Sequence, residues 1–256
     1  MCRAPRWSSS RQPWSVASSL FISDLHLSEE RPAANESFFS FVEGKASRAQ
    51  ALYILGDLFE YWIGDDDLGD PFNAVVAGFL RNLSKGGVTV SVMQGNRDFL
   101  MGPRFCEATG ARLLDDPARI ELPGGPAALL HGDTLCTDDV DYQGWRRTAR
   151  SAEWQRDFLG KPIAERRKVI LGLREKSRAV IQAKPAEIMD VNPAAVQQVF
   201  REQRVDRMIH GHTHRPGRHV HEVDGRRCER FVLPDWYGPG GYLEVPGSGT
   251  PRLVAF

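Results

Sequence analysis

Short apolar runs that break off into Asp, His or Asn beside glycine constrain this chain more than any other feature. Phe21-Ile22-Ser23 leads into Asp24-Leu25-His26, and Tyr53-Ile54-Leu55 into Gly56-Asp57. Val92-Met93 leads into Gly95-Asn96-Arg97-Asp98, and Leu129-Leu130 into His131-Gly132-Asp133. Met208-Ile209 leads into His210-Gly211-His212-Thr213-His214. Short continuous apolar runs suit strands buried on both faces. In open α/β sheets the ligand crevice lies beyond the carboxyl ends of the strands. Clusters far apart in sequence are therefore expected to converge in space. Glycine beside them permits tight turns and leaves room for ions.

Helical patterns lie between the runs. Phe72, Val75, Val76, Phe79, Leu80 and Leu83 recur at spacings of three and four after Asp70-Pro71, a cap followed by a first-turn proline. Gly86-Gly87 closes that segment. Val196, Val199 and Phe200 repeat after Asn192-Pro193 in the same manner. Alternating strand and helix predicts an α/β layered fold. Further on, His219 to Val223, Cys228 to Leu233, Gly241 to Val245 and Arg252 to Phe256 read as short strands between Gly/Pro turns, expected in mixed or antiparallel sheet.

From Thr134 to about Asn192 no strand signal occurs, and Trp145, Trp154, Phe158, Ile163, Ile170, Leu173, Val180 and Ile181 stand among many arginines. This stretch, about 134–190, reads as a helical lid inserted between two core strands. Residues 1–18 are rich in Arg, Ser, Pro and Trp without a signal-type apolar stretch, and read as a disordered leader to a domain spanning 19–256.

Lys+Arg and Asp+Glu balance at 33 each, so bulk charge argues for no particular partner, neither nucleic acid nor protein. Between Asp141 and Lys184, however, twelve Lys/Arg face five Asp/Glu. Such a block suits phosphates or anionic lipid headgroups, or else a solvated helical face. Four cysteines without a CxxC pair give neither a disulfide framework nor a thiolate site, and suit a reducing compartment. No apolar run reaches the roughly 18 residues of a membrane span.

Each polar cluster alone is weak, since DxH and GD arise by chance and Asn-Arg-Asp also serves turns. Two histidines one residue apart in a turn can reach adjacent ions, and the clusters in this order are a far stronger signal. The ordered set resembles the calcineurin-like metallophosphoesterase superfamily, whose pattern is DxH, GD, GN-H/R-D/E, H, then GHxH. The match runs from Asp24 to His214 with no ligand missing. It implies a sandwich of two mixed β-sheets flanked by helices. The longer stretches Leu55-Gly-Asp-Leu-Phe-Glu60, Trp62-Ile-Gly-Asp-Asp66, His131-Gly-Asp-Thr-Leu-Cys-Thr-Asp-Asp139, Ile188-Met-Asp-Val-Asn192 and His210-Gly-His-Thr-His-Arg-Pro216 resemble one branch, the UDP-2,3-diacylglucosamine pyrophosphatases of the lipid A pathway.

That resemblance implies hydrolysis of UDP-2,3-diacylglucosamine by metal-activated water attack on the α-phosphorus, giving 2,3-diacylglucosamine 1-phosphate (lipid X) and UMP. It implies two Mn²⁺ per chain, one on Asp24, His26 and His214, the other on Asn96, His131 and His212, with Asp57 between them. Oxygen and imidazole donors without thiolate suit Mn²⁺. Catalytic roles fall to Asp57, Asn96, Arg97 and His212. Arg97 stands where the superfamily often has His, supplying a permanent cation in place of a proton donor. The implied location is cytoplasmic, peripheral to the inner membrane. A phosphodiesterase or nucleotidase acting on another phosphate ester, or a metal-free interaction module, are the alternatives.

Substrate contacts are expected from Asn96, Arg97 and His212, and on the lid from Asp139, Tyr142, Ser177 and Lys184, positions the resemblance assigns to the headgroup. The residues agree with two of these. Ile163 to Lys184 reads as a helix stopped by Pro185, and Ile170, Leu173, Ser177, Val180, Ile181 and Lys184 share one face. Ser177 and Lys184 lie about 10 Å apart on that apolar stripe, where a polar pair needs a partner. The plainer alternative is that Lys184 reaches solvent at the helix end.

Overall fold

Alternation of side chains along the apolar runs builds two sheets that share one buried face. The computed structural model describes residues 18–184, 188–247 and 250–256. Its first half runs β1 (Ser19–Ile22), α1 (Pro32–Gly44), β2 (Ala51–Leu55), α2 (Pro71–Lys85), β3 (Thr89–Met93), α3 (Pro103–Thr109) and β4 (Arg112–Leu114). A hairpin of β5 (Ala118–Leu122) and β6 (Gly125–Leu129) follows. Then come the helices α4 (Val140–Ala149), α5 (Ala152–Leu159), α6 (Ile163–Ala183) and α7 (Pro193–Gln203). The chain closes with β7 (Arg207–His210), β8 (Gly217–Val223), β9 (Arg226–Val232), β10 (Gly241–Val245) and β11 (Arg252–Ala255).

One sheet has the order β11-β10-β1-β2-β3-β4, the other β5-β6-β7-β9-β8. Both are mixed: β1 to β4 are parallel while β10 runs against β1 and β11 against β10, and β6, β7 and β9 are parallel between antiparallel edges. The expected two-sheet α/β sandwich is the one observed. Since successive strand residues face opposite ways, Phe21, Leu55, Met93 and Leu243 meet Leu129, Ile209 and Phe231 between the sheets. Their neighbours Leu20, Ile22, Leu52, Ile54, Val90 and Val92 face outward onto Phe38, Leu80 and Phe105 of α1 to α3. Ala128, Leu130 and Met208 do the same for Val196 and Phe200 of α7.

Capping follows the sequence. Asp70 accepts from the amides of Phe72 and Asn73 to open α2, and Asn192 accepts from those of Ala194 and Ala195 to open α7. The 134–192 stretch is helical wherever it is described beyond turns, and carries no strand among the described residues. Its packing was not legible from sequence. Ala149, Phe158 and Ile170 join the core cluster of α1 to α3. Arg166, 1% exposed, donates to the Ile63 carbonyl (2.5 Å) and pairs with Asp66. Arg167 reaches Asp67 at 3.1 Å and Asp70 at 3.3 Å. The Asp-rich segment after Trp62 is thus the anchor of α6. The side chains of Val180 and Ile181, together with Pro185 and residues 1–17, lie outside the described residues. Among those described, no helix is long and apolar enough to cross a membrane.

Candidate active site

Each of the polar clusters sits just past a strand, and the turns that leave those strands are unusual. Asp24, His26, Asp57, His212 and His214 all have φ between 51° and 68°. Non-glycine residues rarely adopt this left-handed conformation, and it persists only where surrounding structure enforces it. Here it aims side chains back across the strand ends. Asp98 supplies much of the enforcement. Its buried carboxylate accepts from the amides of Gly95 (2.7 Å), Leu58 (2.8 Å) and Asp57 (3.2 Å), tying the loop after β3 to the loop after β2.

Two groups of donors result. Oxygen and nitrogen atoms of Asp24, His26 and His214 lie within 4.8 Å of one another, and so do those of Asp24, Asp57 and His131. Asn96 adds its side-chain oxygen at 2.9 Å from both His131 Nε2 and His212 Nδ1. Asp57 stands between the groups, one oxygen 3.7 Å from His26 Nε2 and the other 3.8 Å from His131 Nε2. Every residue expected from the sequence to hold metal is therefore in this one cluster.

The backbone makes room for it. A Cβ on Gly95 would collide with the Asp57 carboxylate, one on Gly211 with Asp24, and one on Gly56 would lie 2.5 Å from His131 Nδ1. His131 Nδ1 lies 2.9 Å from the Leu55 carbonyl, which only accepts, so Nδ1 carries the proton and Nε2 faces the cluster.

The donor set fits divalent cations. Asp24, Asp57, Asp98 and Asp133 are all at most 2% exposed. Burial alone would depress His131, yet the carboxylates of Asp57, Asp133 and Asp24 push it up to about 9, a measure of the negative field. Burial raises Asp98 to about 6, with the neighbouring Asp57 charge adding to it. Burial holds His26 and His212 down to about 4, the neutral form a metal requires. Among the described residues, His26 Nε2 and Asp24 Oδ1 are buried without an aligned hydrogen-bond donor or acceptor. Buried polar atoms in that condition ask for a ligand.

Above the cluster lies a cavity of about 580 Å³. His26, Asp57, Asn96, Arg97, His212 and His214 form its floor, whereas Asp24 and His131 sit beneath. Asp139, Tyr142, Ser177 and Lys184 line the α4 and α6 side, so every residue expected to touch substrate faces this one space. Their polar groups are partly committed. Lys184 Nζ binds both Asp139 oxygens at 2.5 and 2.8 Å, and Tyr142 Oη donates to Asp133 at 2.6 Å. Lys184 is therefore not the solvent-reaching side chain of the plainer alternative. Among the described residues Arg97 makes no ion pair, and its Nε is buried without a partner. Phe99, Trp145, Ile170, Leu173 and Met189 supply an apolar wall.

Sequence reasoning assigned no role to Asp98, Asp133, Glu60, Arg174 or Tyr237. Asp133 receives Tyr142 and Arg146, the latter at 2.7 Å, behind His131. Tyr237 packs its ring 5.0 Å from His26 and 5.5 Å from His214. Asp98 and Asp133 belonged to motifs already noticed, and a carboxylate inside each turn was the available signal. For Tyr237 no pattern pointed to the site.

Carboxylate, imidazole and amide donors gathered in one buried cluster, beside an arginine without an ion pair among the described residues, define a metal-dependent phosphoesterase centre. The chain belongs to the calcineurin-like phosphoesterase family, whose model matches residues 18–216. It is 49% identical to a UDP-2,3-diacylglucosamine hydrolase of Aromatoleum aromaticum, covering 93% of this chain and 97% of that one. Proteins of the same description from Cellvibrio japonicus and Pseudomonas aeruginosa are each 47% identical over 90% of this chain and 95% of theirs.

Proposed function

We propose that the chain hydrolyses UDP-2,3-diacylglucosamine to UMP and 2,3-diacylglucosamine 1-phosphate. The carrying observation is a cavity that joins a metal-type donor cluster at its floor to an apolar wall on α4 and α6. A nucleotide substrate alone would use the floor, and a diacylated UDP-sugar uses both. The match to hydrolases of that description over nearly the whole chain supports the same reading.

In this reading Asp24, His26 and His214 would hold one cation and Asn96, His131 and His212 a second, with Asp57 shared. Such ions, here Mn²⁺, supply Lewis-acid polarisation of the phosphoryl group and lower the pKa of an attacking water. Arg97, which makes no ion pair among the described residues, offers its guanidinium to phosphate oxygens, offsetting charge as the pentavalent arrangement forms. Water oxygen bonds to the α-phosphorus as it gives a proton up to solvent, and the bond from that phosphorus to the bridging oxygen breaks. That oxygen leaves with the sugar phosphate. Asn96 and His212 orient the phosphoryl group, while Asp139, Tyr142, Ser177 and Lys184 hold the glucosamine end. The 134–190 segment acts as a lid whose apolar inner face takes the acyl chains. Its basic excess gives loose attachment to the cytoplasmic surface of the inner membrane.

The test is turnover by the purified chain, with and without Mn²⁺, on the diacylated UDP-sugar beside UDP-glucose, ATP and a soluble phosphodiester. Mn²⁺-dependent release of UMP from the lipid substrate, far above the soluble ones, is expected. Preference for a soluble ester would replace this substrate with a phosphodiesterase or nucleotidase activity. Full activity after thorough chelation would remove the metal mechanism.

A further inference from the structure

We infer that Glu60 is a positioning residue that sets His26 for metal binding and joins that ligand to helix α6 through Arg174; this rests on the metal-dependent reading above. Backbone pairing places Glu60. Leu27 bridges Phe59, and the Glu60 amide donates to the Leu27 carbonyl at 3.0 Å, so the segment after Asp57 runs alongside the segment after His26. The Glu60 carboxylate, on a residue only 8% exposed, then lies beside the imidazole. Its Oε2 is 3.1 Å from His26 Nδ1, off the axis of an aligned hydrogen bond, and 3.5 Å from Tyr237 Oη. Its Oε1 pairs with Arg174 Nη2, and Arg174 Nη1 also donates to the Glu60 carbonyl at 3.1 Å.

This geometry divides the carboxylate between two tasks. A buried carboxylate is costly unless paired, and Arg174 supplies the pairing. The second oxygen is left facing the ring nitrogen of a metal ligand that points away from the cluster. A carboxylate on that nitrogen fixes the tautomer, orients the ring and raises its basicity toward metal. His26 Nε2 is thereby left to face Asp57 and Asp24. Arg174 also lines the cavity, so an occupant of the cavity meets one end of the ion pair directly, while a metal in the cluster meets the other end through His26. By linkage, each then changes the affinity for the other reciprocally.

Mn²⁺ binding to the chelator-stripped chain, followed by calorimetry and by the electron paramagnetic resonance of free Mn²⁺, tests this. Wild type is expected to take up two equivalents. In Glu60→Ala one of them should bind about 10–100-fold more weakly, and turnover lost at limiting Mn²⁺ should return as Mn²⁺ is raised. A purely structural role would not show that rescue. Glu60→Gln keeps an acceptor for Nδ1–H and should fall between the two, and it decides the matter if Glu60→Ala does not fold. Arg174→Met should weaken Mn²⁺ several-fold. Wild-type affinity in folded Glu60→Gln and Glu60→Ala alike overturns the inference while leaving the metal reading intact. A wild-type chain that takes up no Mn²⁺ overturns both.

Discussion

At the scale of single residues, the site depends on charge placement more than on donor count. Asp57 turns one oxygen toward His26 and the other toward His131, at 3.7 and 3.8 Å. Asn96 contributes a neutral oxygen beside two histidines. Two adjacent cations repel, and a shared anion offsets this, whereas a lost neutral ligand can be replaced by water. Asp57→Ala is therefore expected to lose about a thousandfold or more in kcat, roughly 4 kcal/mol in the barrier, and Asn96→Ala distinctly less. Steady-state kinetics of folded variants at saturating Mn²⁺ measures the difference, and equal, mild losses would contradict a shared role. The metal-type residues were legible in sequence because an apolar run that stops in Asp, His or Asn announces both a strand end and a ligand. The roles of Asp98 and Glu60 were not. Their work lies in holding one loop against another, and which loops meet is a property of the sheet order.

Among elements, α6 carries the most. Its N-terminal half is fixed by the buried Arg166 on Ile63 and Asp66, while its C-terminal end meets α4 where Lys184 binds Asp139. Asp139 is also the N-cap of α4, accepting from the Tyr142 amide at 3.1 Å. Removing Lys184 takes a cation from the cavity and leaves the Asp139 carboxylate facing it unpaired, which repels a phosphate. Lys184→Ala should thus lower kcat/KM on the lipid substrate about tenfold or more, mainly through KM, with Lys184→Arg retaining most of it. Unchanged kcat/KM in a Lys184→Ala protein of normal Tm would take Lys184 out of the substrate's reach. Asp139→Ala mixes this with loss of a cap, about 1 kcal/mol, so Asp139→Asn is the cleaner partner variant. Sequence periodicity identified α2, α6 and α7 because each follows a cap or repeats at helical spacing. It passed over α1 and α3, and over β4, whose three residues are largely exposed. β5 alternates partly buried Ala118 and Ile120 and buried Leu122 with exposed Arg119 and Glu121, a period-two signal that was also passed over.

Across the whole molecule, the cluster lies on the seam between the two sheets. Asp24, His26, Asp57 and Asn96 follow β1, β2 and β3 of the six-stranded sheet, whereas His131, His212 and His214 follow β6 and β7 of the other. Protein groups bridge the seam at this end through polar contacts, those of Asn96 to His131 and His212 among them. The His212 amide donates to Asp24 at 2.9 Å, and His131 Nδ1 meets the Leu55 carbonyl at 2.9 Å. The same end concentrates four buried aspartates whose charges repel. Cations bound there would neutralise them and fasten one sheet to the other, so the native state gains what the unfolded chain does not. At free Mn²⁺ of about 100 times Kd, one site adds about 2.7 kcal/mol of stability, which raises Tm by roughly 5–10 °C for a chain of this size. Calorimetric Tm with Mn²⁺ and after chelation gives the shift. Hydrogen exchange should place the gained protection at the carboxyl ends of β1, β2, β6 and β7, and leave the far β8–β9 edge unchanged. His214→Ala, which strips one group of a donor, should lose part of the Tm gain without altering the Tm of the chelated protein much, because His214 is partly exposed. A Tm indifferent to Mn²⁺ in the wild type would mean that the seam is held by its apolar layer alone.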